Sequence, residues 1–249
     1  MKSKIIFLTI CAMSLCVSCV SKKDFGSDTF KTKSGDLKIT FIGHGTLMME
    51  YNGKIIHIDP FSATADYSKM PKADLVLITH EHYDHFEPKT IEMISTDKTQ
   101  VVINKNCQND FPKGIVMNNG DVKTFLDIKV EAVPAYNIVH KRDDTGNPFH
   151  PKGEGNGYVL TFDDLKVYVA GDTENIPEMK NLKDIDIAFL PMNLPYTMTP
   201  EMVFDAAKMF NPKILYPYHF GDTDTSIIVN FLKDYEGIEV RIRDFKLKG

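Results

Sequence analysis

The stretch "THEHYDH", residues 79–85, places three histidines and an aspartate directly behind an apolar run. That run, "ADLVLIT" at residues 73–79, is typical of a buried strand, so the polar residues fall at its carboxyl end. His80 and His82 point to the same side of an extended segment, because they are two residues apart. Zn²⁺ readily accepts imidazole nitrogen and carboxylate oxygen. The spacing therefore predicts a metal site here rather than a solvated polar turn.

Two later strand ends carry the same kinds of residue. Asp172 ends the run "VYVAGDT", and His219 lies in "LYPYHF". Taken alone, Asp172 is typical of a turn and His219 of a packed histidine. Asp84 and His85, however, follow the first histidine pair at a point where the chain can turn toward a second position. Together these residues predict ligands for two adjacent metal ions.

Length and composition indicate an ordinary globular protein. The chain has 249 residues, of which 43% are hydrophobic and 25% are charged, and this length suits one large domain or two closely joined halves. The formal net charge is -5, whereas a nucleic-acid-binding surface is typically basic. We therefore expect no nucleic-acid partner.

The amino terminus has the pattern of an export signal. Lys2 and Lys4 precede an apolar run that is shorter than the roughly 20 residues needed to span a bilayer, and small residues follow it. The sequence "CVSC" then resembles a bacterial lipoprotein processing site with Cys19 as the lipidated residue. We expect residues 1–19 to be this signal and the mature protein to be exported. A lipid anchor would hold it to a membrane of the bacterial envelope.

The rest of the chain divides into a linker and a domain. Residues 20–35 are rich in Ser, Lys, Asp and Gly, so we predict a linker there and one domain over residues 36–249. Both halves of this domain are rich in strand-like runs and carry helix-like segments. This arrangement predicts an α/β fold, a four-layer αββα sandwich in which two sheets pack face to face between helices. Cys107 is the only cysteine of the domain, which excludes a disulfide within it.

Local signals predict several individual elements. Asn52-Gly53 between two apolar runs predicts a β-hairpin. Residues 199–210 are predicted to form a helix that begins with a capping threonine followed by a proline. The loop at residues 136–157 is long for a simple connector, and we expect it to line a functional site together with residues 191–200.

Seven segments resemble the metallo-β-lactamase superfamily of metal-dependent hydrolases, in order and with plausible spacing. The resemblance implies an αββα fold with a metal site along one edge of the sandwich. By this resemblance, the first metal ion is held by His80 and His82 and the second by Asp84, His85 and His219, with Asp172 bridging the two. The segments are "IGHGTLMMEY", "HIDPF", "THEHYDH", "VPAYN", "GDT", "FLPMN" and "YPYHF".

The third ligand of the first metal ion remains open among three residues. In the superfamily it is usually a histidine that follows a strand like "VEAVPA", whereas this chain has Asn137 in "AYN". The other candidates are His150 in "FHPKGEGNG" and His140 in "IVHKR". We favour His150.

Within the superfamily, the chain resembles the branch of ascorbate-phosphate lactonase and N-acyl-phosphatidylethanolamine phospholipase D. The shared features are an early "GH", "IDP" after the first hairpin, and "GDT" before a late histidine. This resemblance places His44 near the site. We expect Asp59 to orient a ligand imidazole, because metal-bound histidines commonly donate their other N–H to a carboxylate. His57 and Cys107 are predicted to be structural.

The resemblance also implies a mechanism. Two divalent metal ions, Zn²⁺ in the first instance with Mn or Fe as alternatives, would supply a metal-bound hydroxide. This hydroxide would attack an ester, lactone, amide or phosphodiester bond of a small-molecule or lipid-like substrate. The residues with catalytic roles would be Asp84 and Asp172, which tune the metal ions, and His150, which assists the leaving group. Two alternatives are a di-iron redox site and a non-catalytic surface lipoprotein that binds metal or a partner.

Overall fold

The computed structural model describes residues 25–245, so the predicted signal at residues 1–19, with Cys19, lies outside the described residues. Within the described range, no helix has the length and apolar character needed to cross a bilayer. The strands are β1 (Ser27–Lys31), β2 (Asp36–Gly43), β3 (Thr46–Tyr51), β4 (Lys54–Ile58), β5 (Leu75–Leu77), β6 (Gln100–Ile103), β7 (Ile115–Val116), β8 (Val122–Phe125), β9 (Ile128–Ala135), β10 (Gly155–Phe162), β11 (Leu165–Val169), β12 (Ile187–Pro191), β13 (Ile214–Tyr218) and β14 (Glu239–Val240). The helices are α1 (Pro88–Ile94), α2 (Pro200–Phe210) and α3 (Ser226–Leu232), with 3₁₀ helices at Lys105–Gln108 and Pro177–Asn181.

The strands form two seven-stranded sheets with the same internal order. Strands β1–β7 make the N-terminal sheet and β8–β14 the C-terminal sheet, each arranged in chain order. In both sheets the first four strands are antiparallel. The last three strands of each sheet run parallel to the fourth. The two halves of the chain therefore repeat one topology.

Strand β5 shows how the N-terminal sheet is covered on both faces. Leu75 and Leu77 belong to the core between the two sheets, which buries most of the apolar side chains of the protein. Val76, whose side chain points to the opposite face, belongs to a second cluster that includes Ile91 and Ile94 of α1. Helix α1 thus covers the outer face of this sheet.

The C-terminal sheet is covered in the same way. All five residues of β12 are buried. Phe189 of β12 contacts Phe41 of β2 across the interface between the sheets, with 6.4 Å between ring centroids. Tyr168 of β11 meets Phe210 of α2 edge to face, and α2 packs against α3. Helices outside two packed sheets confirm the predicted αββα sandwich.

Two predicted local elements are confirmed. Asn52 and Gly53 have φ angles of 49° and 72°, the left-handed conformations that a two-residue turn between β3 and β4 requires. Thr199 caps helix α2 by accepting the backbone N–H of Met202 at 3.2 Å. Pro200 follows at the first helical position, where its missing N–H has no intrahelical partner to lose.

The predicted linker at residues 20–35 is wrong over part of its length, because it contains strand β1. This strand pairs with β2 along its full length. Phe30 packs against the core, and the Asp28 carboxylate accepts a hydrogen bond from Arg243 at 2.6 Å. An edge strand with alternating exposed and half-buried residues contains too little apolar sequence to be recognised as a strand. The domain therefore begins before residue 36.

Candidate metal centre

The candidate site forms where strands of both sheets end. Asp59 follows β4 and His80 follows β5 in the N-terminal sheet, whereas Asp172 follows β11 and His219 follows β13 in the C-terminal sheet. All four side chains are buried. Since parallel strands share their carboxyl ends at one edge of a sheet, residues far apart in the sequence converge there.

The first position consists of His80, His82 and His150. His80 Nε2 lies 3.1 Å from His82 Nδ1. One nitrogen of each of the three imidazoles lies within 4.8 Å of the other two. Three converging imidazoles are a ligand set that Zn²⁺ accepts.

The second position consists of Asp84, His85 and His219. His85 Nε2 lies 3.1 Å from His219 Nε2, and Asp84 Oδ2 lies 3.6 Å from the same His219 nitrogen. His44 lies beside this group, where its Nε2–H donates to Asp84 Oδ2 at 2.8 Å. Its ring centroid is 3.8 Å from that of His219. His44 therefore holds the Asp84 carboxylate toward the other two ligands.

Asp172 lies between the two positions. Its Oδ2 is 3.4 Å from His150 Nε2 and 3.5 Å from His219 Nε2, and its Oδ1 is 3.5 Å from His85 Nε2. Burial alone would raise the pKa of Asp172, but the surrounding imidazoles of His219, His85 and His150 lower it below its usual range. Its Oδ1 is buried and has no hydrogen-bond partner among the described residues. A buried, ionised carboxylate oxygen that accepts no hydrogen bond fits a metal ligand.

The buried carboxylate of Asp59 orients histidines of both positions. It accepts His85 Nδ1–H at 2.8 Å, and it also accepts the backbone N–H and the hydroxyl of Thr79 at 2.8 and 2.6 Å. Because the Thr79 hydroxyl gives its proton to Asp59, its oxygen accepts from His80 Nδ1, 3.0 Å away. Nδ1 of both rings is thus turned outward to a support, which leaves Nε2 for a metal ion.

The protonation of the two positions differs. Burial lowers the pKa of His150 to about 4 and that of His80 well below its usual value, so both imidazoles are neutral at neutral pH, the form that binds metal. Burial also lowers the pKa of His85, but the carboxylates of Asp172, Asp59 and Asp84 outweigh it and raise this pKa to about 10. Without a metal ion, the ionised carboxylates therefore keep the His85 imidazole protonated, as expected where a cation belongs.

The structure brings one of the three candidate third ligands, His150, to the first position. His150 Nδ1–H donates to Asn137 Oδ1 at 2.6 Å, so Asn137 supports the imidazole ring. His140 lies instead against Glu174, with 2.7 Å between Nδ1 and the carboxylate. Of the three candidates, only His150 therefore lies with His80 and His82, whereas Asn137 and His140 contact other groups of the same loop and its anchor.

Glu174 anchors this loop, a role that its sequence context does not predict. Its fully buried carboxylate accepts the backbone N–H groups of Ile138, Val139 and His140, each at 2.7 Å, and the Asn137 amide at 3.2 Å. Burial raises the pKa of Glu174, but these backbone donors outweigh it, so the pKa is lowered. The only sequence signal for this role is an acidic residue two positions after Asp172.

The backbone is unusual at three site residues. His44, Asp59 and His219 have φ angles of 54°, 46° and 44°, in the left-handed region that residues with side chains seldom adopt. Gly45 is required for a different reason, because a Cβ there would lie 2.7 Å from His85 Cε1. The chain thus passes so close to the His85 ring that only glycine fits.

A cavity of about 420 Å³ opens onto the two positions. The long loop contributes Arg142 and Phe149 to its wall, and the segment after β12 contributes Asn193 and Tyr196, as the sequence predicts. Phe149 and Tyr196 meet edge to face with centroids 5.1 Å apart. Exposed Tyr83 lies on the rim.

His57 and Cys107 lie away from this cavity. His57 is fully buried and donates to the backbone carbonyl of Pro71 at 3.2 Å, and burial lowers its pKa to about 4. Cys107 is also fully buried, and burial raises its pKa above the usual range. Neither residue contributes to the metal centre.

Comparison with known sequences finds metal-dependent hydrolases. A family model described as the β-lactamase superfamily domain matches residues 38–219. A UPF0173 metal-dependent hydrolase of Koribacter versatilis is 34% identical over 200 residues, which cover 74% of this chain and 84% of that protein. Residues 38–219, which match the family model, include every residue of both positions.

Two solved structures that resemble the protein are also described as metal-dependent or metallo hydrolases. A candidate metal-dependent hydrolase from Parabacteroides distasonis is 55% identical, with a TM-score of 0.84 over 89% of this chain and 99% of that one. Igni18, a metallo hydrolase from Ignicoccus hospitalis, is 26% identical, with a TM-score of 0.67 over 84% of this chain and 95% of that one.

Proposed function

The chain belongs to the metallo-β-lactamase superfamily of metal-dependent hydrolases, and from this premise we propose that it hydrolyses its substrate with two divalent metal ions. His80, His82 and His150 would hold one ion and Asp84, His85 and His219 the other, and Asp172 would contribute its carboxylate to both. The observation that carries this proposal is the position of Asp172, whose ionised carboxylate lies between two groups of converging side chains and whose Oδ1 accepts no hydrogen bond from the described residues. Imidazole nitrogen and carboxylate oxygen favour Zn²⁺, with Mn²⁺ or Fe²⁺ as alternatives.

Metal binding at these positions would supply Lewis-acid activation of water and of the scissile bond at neutral pH. The protein supplies the arrangement that this chemistry needs. Asp59 and Thr79 fix the rings of His85 and His80, and His44 fixes Asp84. The cavity is large enough for a small molecule or for part of a lipid-like substrate. We propose that the bond cleaved is an ester, lactone, amide or phosphodiester.

We assign His150 to metal binding and not to protonation of the leaving group. Its Nδ1–H is donated to Asn137, and its Nε2 faces Asp172 at 3.4 Å. A metal ligand and a proton donor would both need Nε2. The low pKa of His150 also leaves this nitrogen unprotonated at neutral pH.

Metal content and turnover of matched histidine variants test the proposal. The wild-type protein, purified without chelator, should hold about two metal equivalents per chain and hydrolyse generic lactone or phosphodiester substrates. His82→Ala should lose about one equivalent and all measurable turnover, whereas His140→Gln, in the same loop as His150 but outside both positions, should keep two equivalents. Substantial turnover by His82→Ala, or one equivalent or fewer in the wild type, would contradict the binuclear scheme.

We further propose that the mature protein is exported and anchored by lipid at Cys19. The support is the order of basic, apolar and small residues before Cys19. In a bacterial host, the wild-type protein should fractionate with membranes and Cys19→Ser should not. Equal membrane association of both would exclude a lipid anchor at this residue.

A further inference from the structure

The loop at residues 136–157 contains a short hairpin that carries Arg142 to the mouth of the metal-site cavity. The Arg142 N–H donates to the Asn147 carbonyl at 2.8 Å, and the Gly146 N–H donates to the Arg142 carbonyl at 2.8 Å. Lys141 and Pro148 pair at the base of the hairpin. The backbone of Arg142 is therefore held at a defined place.

The Arg142 side chain points toward the site and rests on an aromatic platform. Its Nη2 lies 3.4 Å from His82 Nε2. Its Cζ lies 5.3 Å from the Phe149 ring centroid, and Tyr196 packs edge to face against Phe149. A guanidinium over an aromatic ring keeps its planar edge available for hydrogen bonds.

Arg142 has no acidic partner in the described part of the chain. None of the ion pairs within 4.0 Å formed by residues 25–245 includes it. In contrast, Lys152 of the same loop pairs with Glu178 at 2.7 Å. An arginine is charged at every physiological pH and offers five N–H donors. The cavity wall therefore presents an unpaired cation beside the first position.

We propose that Arg142 is a specificity residue that binds an oxyanion group of the substrate, either phosphate or carboxylate. The forked guanidinium matches both groups with two parallel hydrogen bonds. Phe149 and Tyr196 offer an adjacent apolar surface to the uncharged part of the same molecule. The inference rests on the proposed function for its location, and it narrows the substrate to anionic compounds.

Calorimetric titration of the metal-loaded protein with inorganic phosphate, and separately with succinate, tests the proposal without requiring turnover. Arg142→Gln should weaken binding of at least one anion by about 10-fold, the effect of losing hydrogen bonds to a charged group. Lys141→Gln is the matched control, because Lys141 is an exposed cation of the same hairpin that does not line the cavity. This control should bind both anions like the wild type.

The two anions identify the group that Arg142 recognises. Weakening confined to phosphate assigns a phosphate-bearing substrate, and weakening confined to succinate assigns a carboxylate-bearing one. Unchanged affinity of Arg142→Gln for both anions, or an equal loss in Lys141→Gln, would overturn the proposal. Metal content and melting temperature of each variant verify that the fold and metal centre are intact, as expected for an exposed side chain.

Failure of the proposed function gives a different pattern. If the wild-type protein turns over no substrate yet binds phosphate or succinate through Arg142, the result supports the anion site and contradicts the hydrolytic function. If the wild-type protein hydrolyses substrates and Arg142→Gln does not change anion binding, the result supports the hydrolytic function and contradicts the anion site.

Discussion

The first and second positions differ in what holds their ligands. At the second position, His85 comes from the segment after β5 and His219 from the end of β13, and buried Asp59 fixes the His85 ring. At the first position, His150 comes from the loop that joins β9 to β10 and is held by Asn137. The sandwich itself builds the second position, whereas a loop completes the first.

This difference shows that hydrogen bonds to one buried carboxylate can fix a loop, as strand pairing fixes the residues of a sheet. Backbone N–H groups of the loop converge on the buried Glu174 carboxylate. Hydrogen bonds to a charged group contribute roughly 1.5–3 kcal/mol, about twice the contribution of neutral ones. One buried charge thus holds the segment between Tyr136 and the short hairpin, together with the backbone hydrogen bond that Asn137 N–H donates to the His150 carbonyl at 2.8 Å.

The largest loss of metal is expected from Asp172→Asn, because this substitution damages both positions at once. This carboxylate approaches ligands of each, so its loss should reduce metal content below one equivalent. Several kcal/mol of transition-state stabilisation would be lost with the ions, or about 10³-fold in turnover. Metal analysis and an initial-rate assay check this outcome. A variant with two equivalents would show that Asp172 does not bridge.

Asp59→Asn should weaken both positions without emptying them. Its carboxylate supports His85 directly and His80 through Thr79. Loss of such outer support typically weakens metal binding by about 10–100-fold. Competition with a chromogenic chelator measures each affinity, and Asp36→Asn, an exposed carboxylate, serves as the control. An effect at the second position alone would show that the hydrogen bonds from His80 through Thr79 to Asp59 do not contribute to metal binding.

Gly45→Ala should affect the second position alone. The added methyl group would lie 2.7 Å from His85 Cε1 and would displace that ring. Overpacking of this kind costs about 1–3 kcal/mol, so we expect roughly 10-fold weaker binding of one metal ion. Gly26→Ala is the control, because its added Cβ meets only Phe41 at 3.8 Å. Loss of the other ion instead would reverse the assignment of His85.

An effect no larger than that of Gly45→Ala is expected from Asn137→Ala, its counterpart at the first position. His150 would lose the acceptor for its Nδ1–H but would keep its place on the loop, which Glu174 still anchors. One ion should bind about 10-fold more weakly and the other should be unchanged, as measured by the same chelator competition. Asn230→Ala, exposed on α3, should change neither affinity. Equal weakening of both ions would mean that the two positions are not separable.

The sequence predicts the parts of the site that strands position. His80 and His82 follow an apolar run that forms β5, and Asp172 and His219 follow β11 and β13 as expected. The αββα fold is predictable for the same reason, since strand-like runs carry a strong apolar signal. Edge strand β1 lacks that signal, and the prediction of a linker there fails.

The parts that loops position are less predictable. The loop contains three candidates for the third ligand of the first position, Asn137, His140 and His150. No periodic pattern distinguishes them, so only the resemblance to a family favours His150. Glu174 and Arg142 were not singled out, because each acts through a contact that forms only in the folded chain. A buried acid and an exposed base look ordinary in a sequence.

The left-handed backbone at His44, Asp59 and His219 lowers the stability of the fold at three residues of the candidate metal centre. Each such conformation costs about 1–3 kcal/mol, a considerable fraction of the roughly 5–15 kcal/mol by which a domain is stable. Glycine at these three places would relieve the strain and remove the very side chains that bind or support a metal ion. Selection for thermal tolerance alone should therefore favour glycine first at partly exposed His44, because glycine at buried Asp59 would leave the His85 and Thr79 donors unpaired.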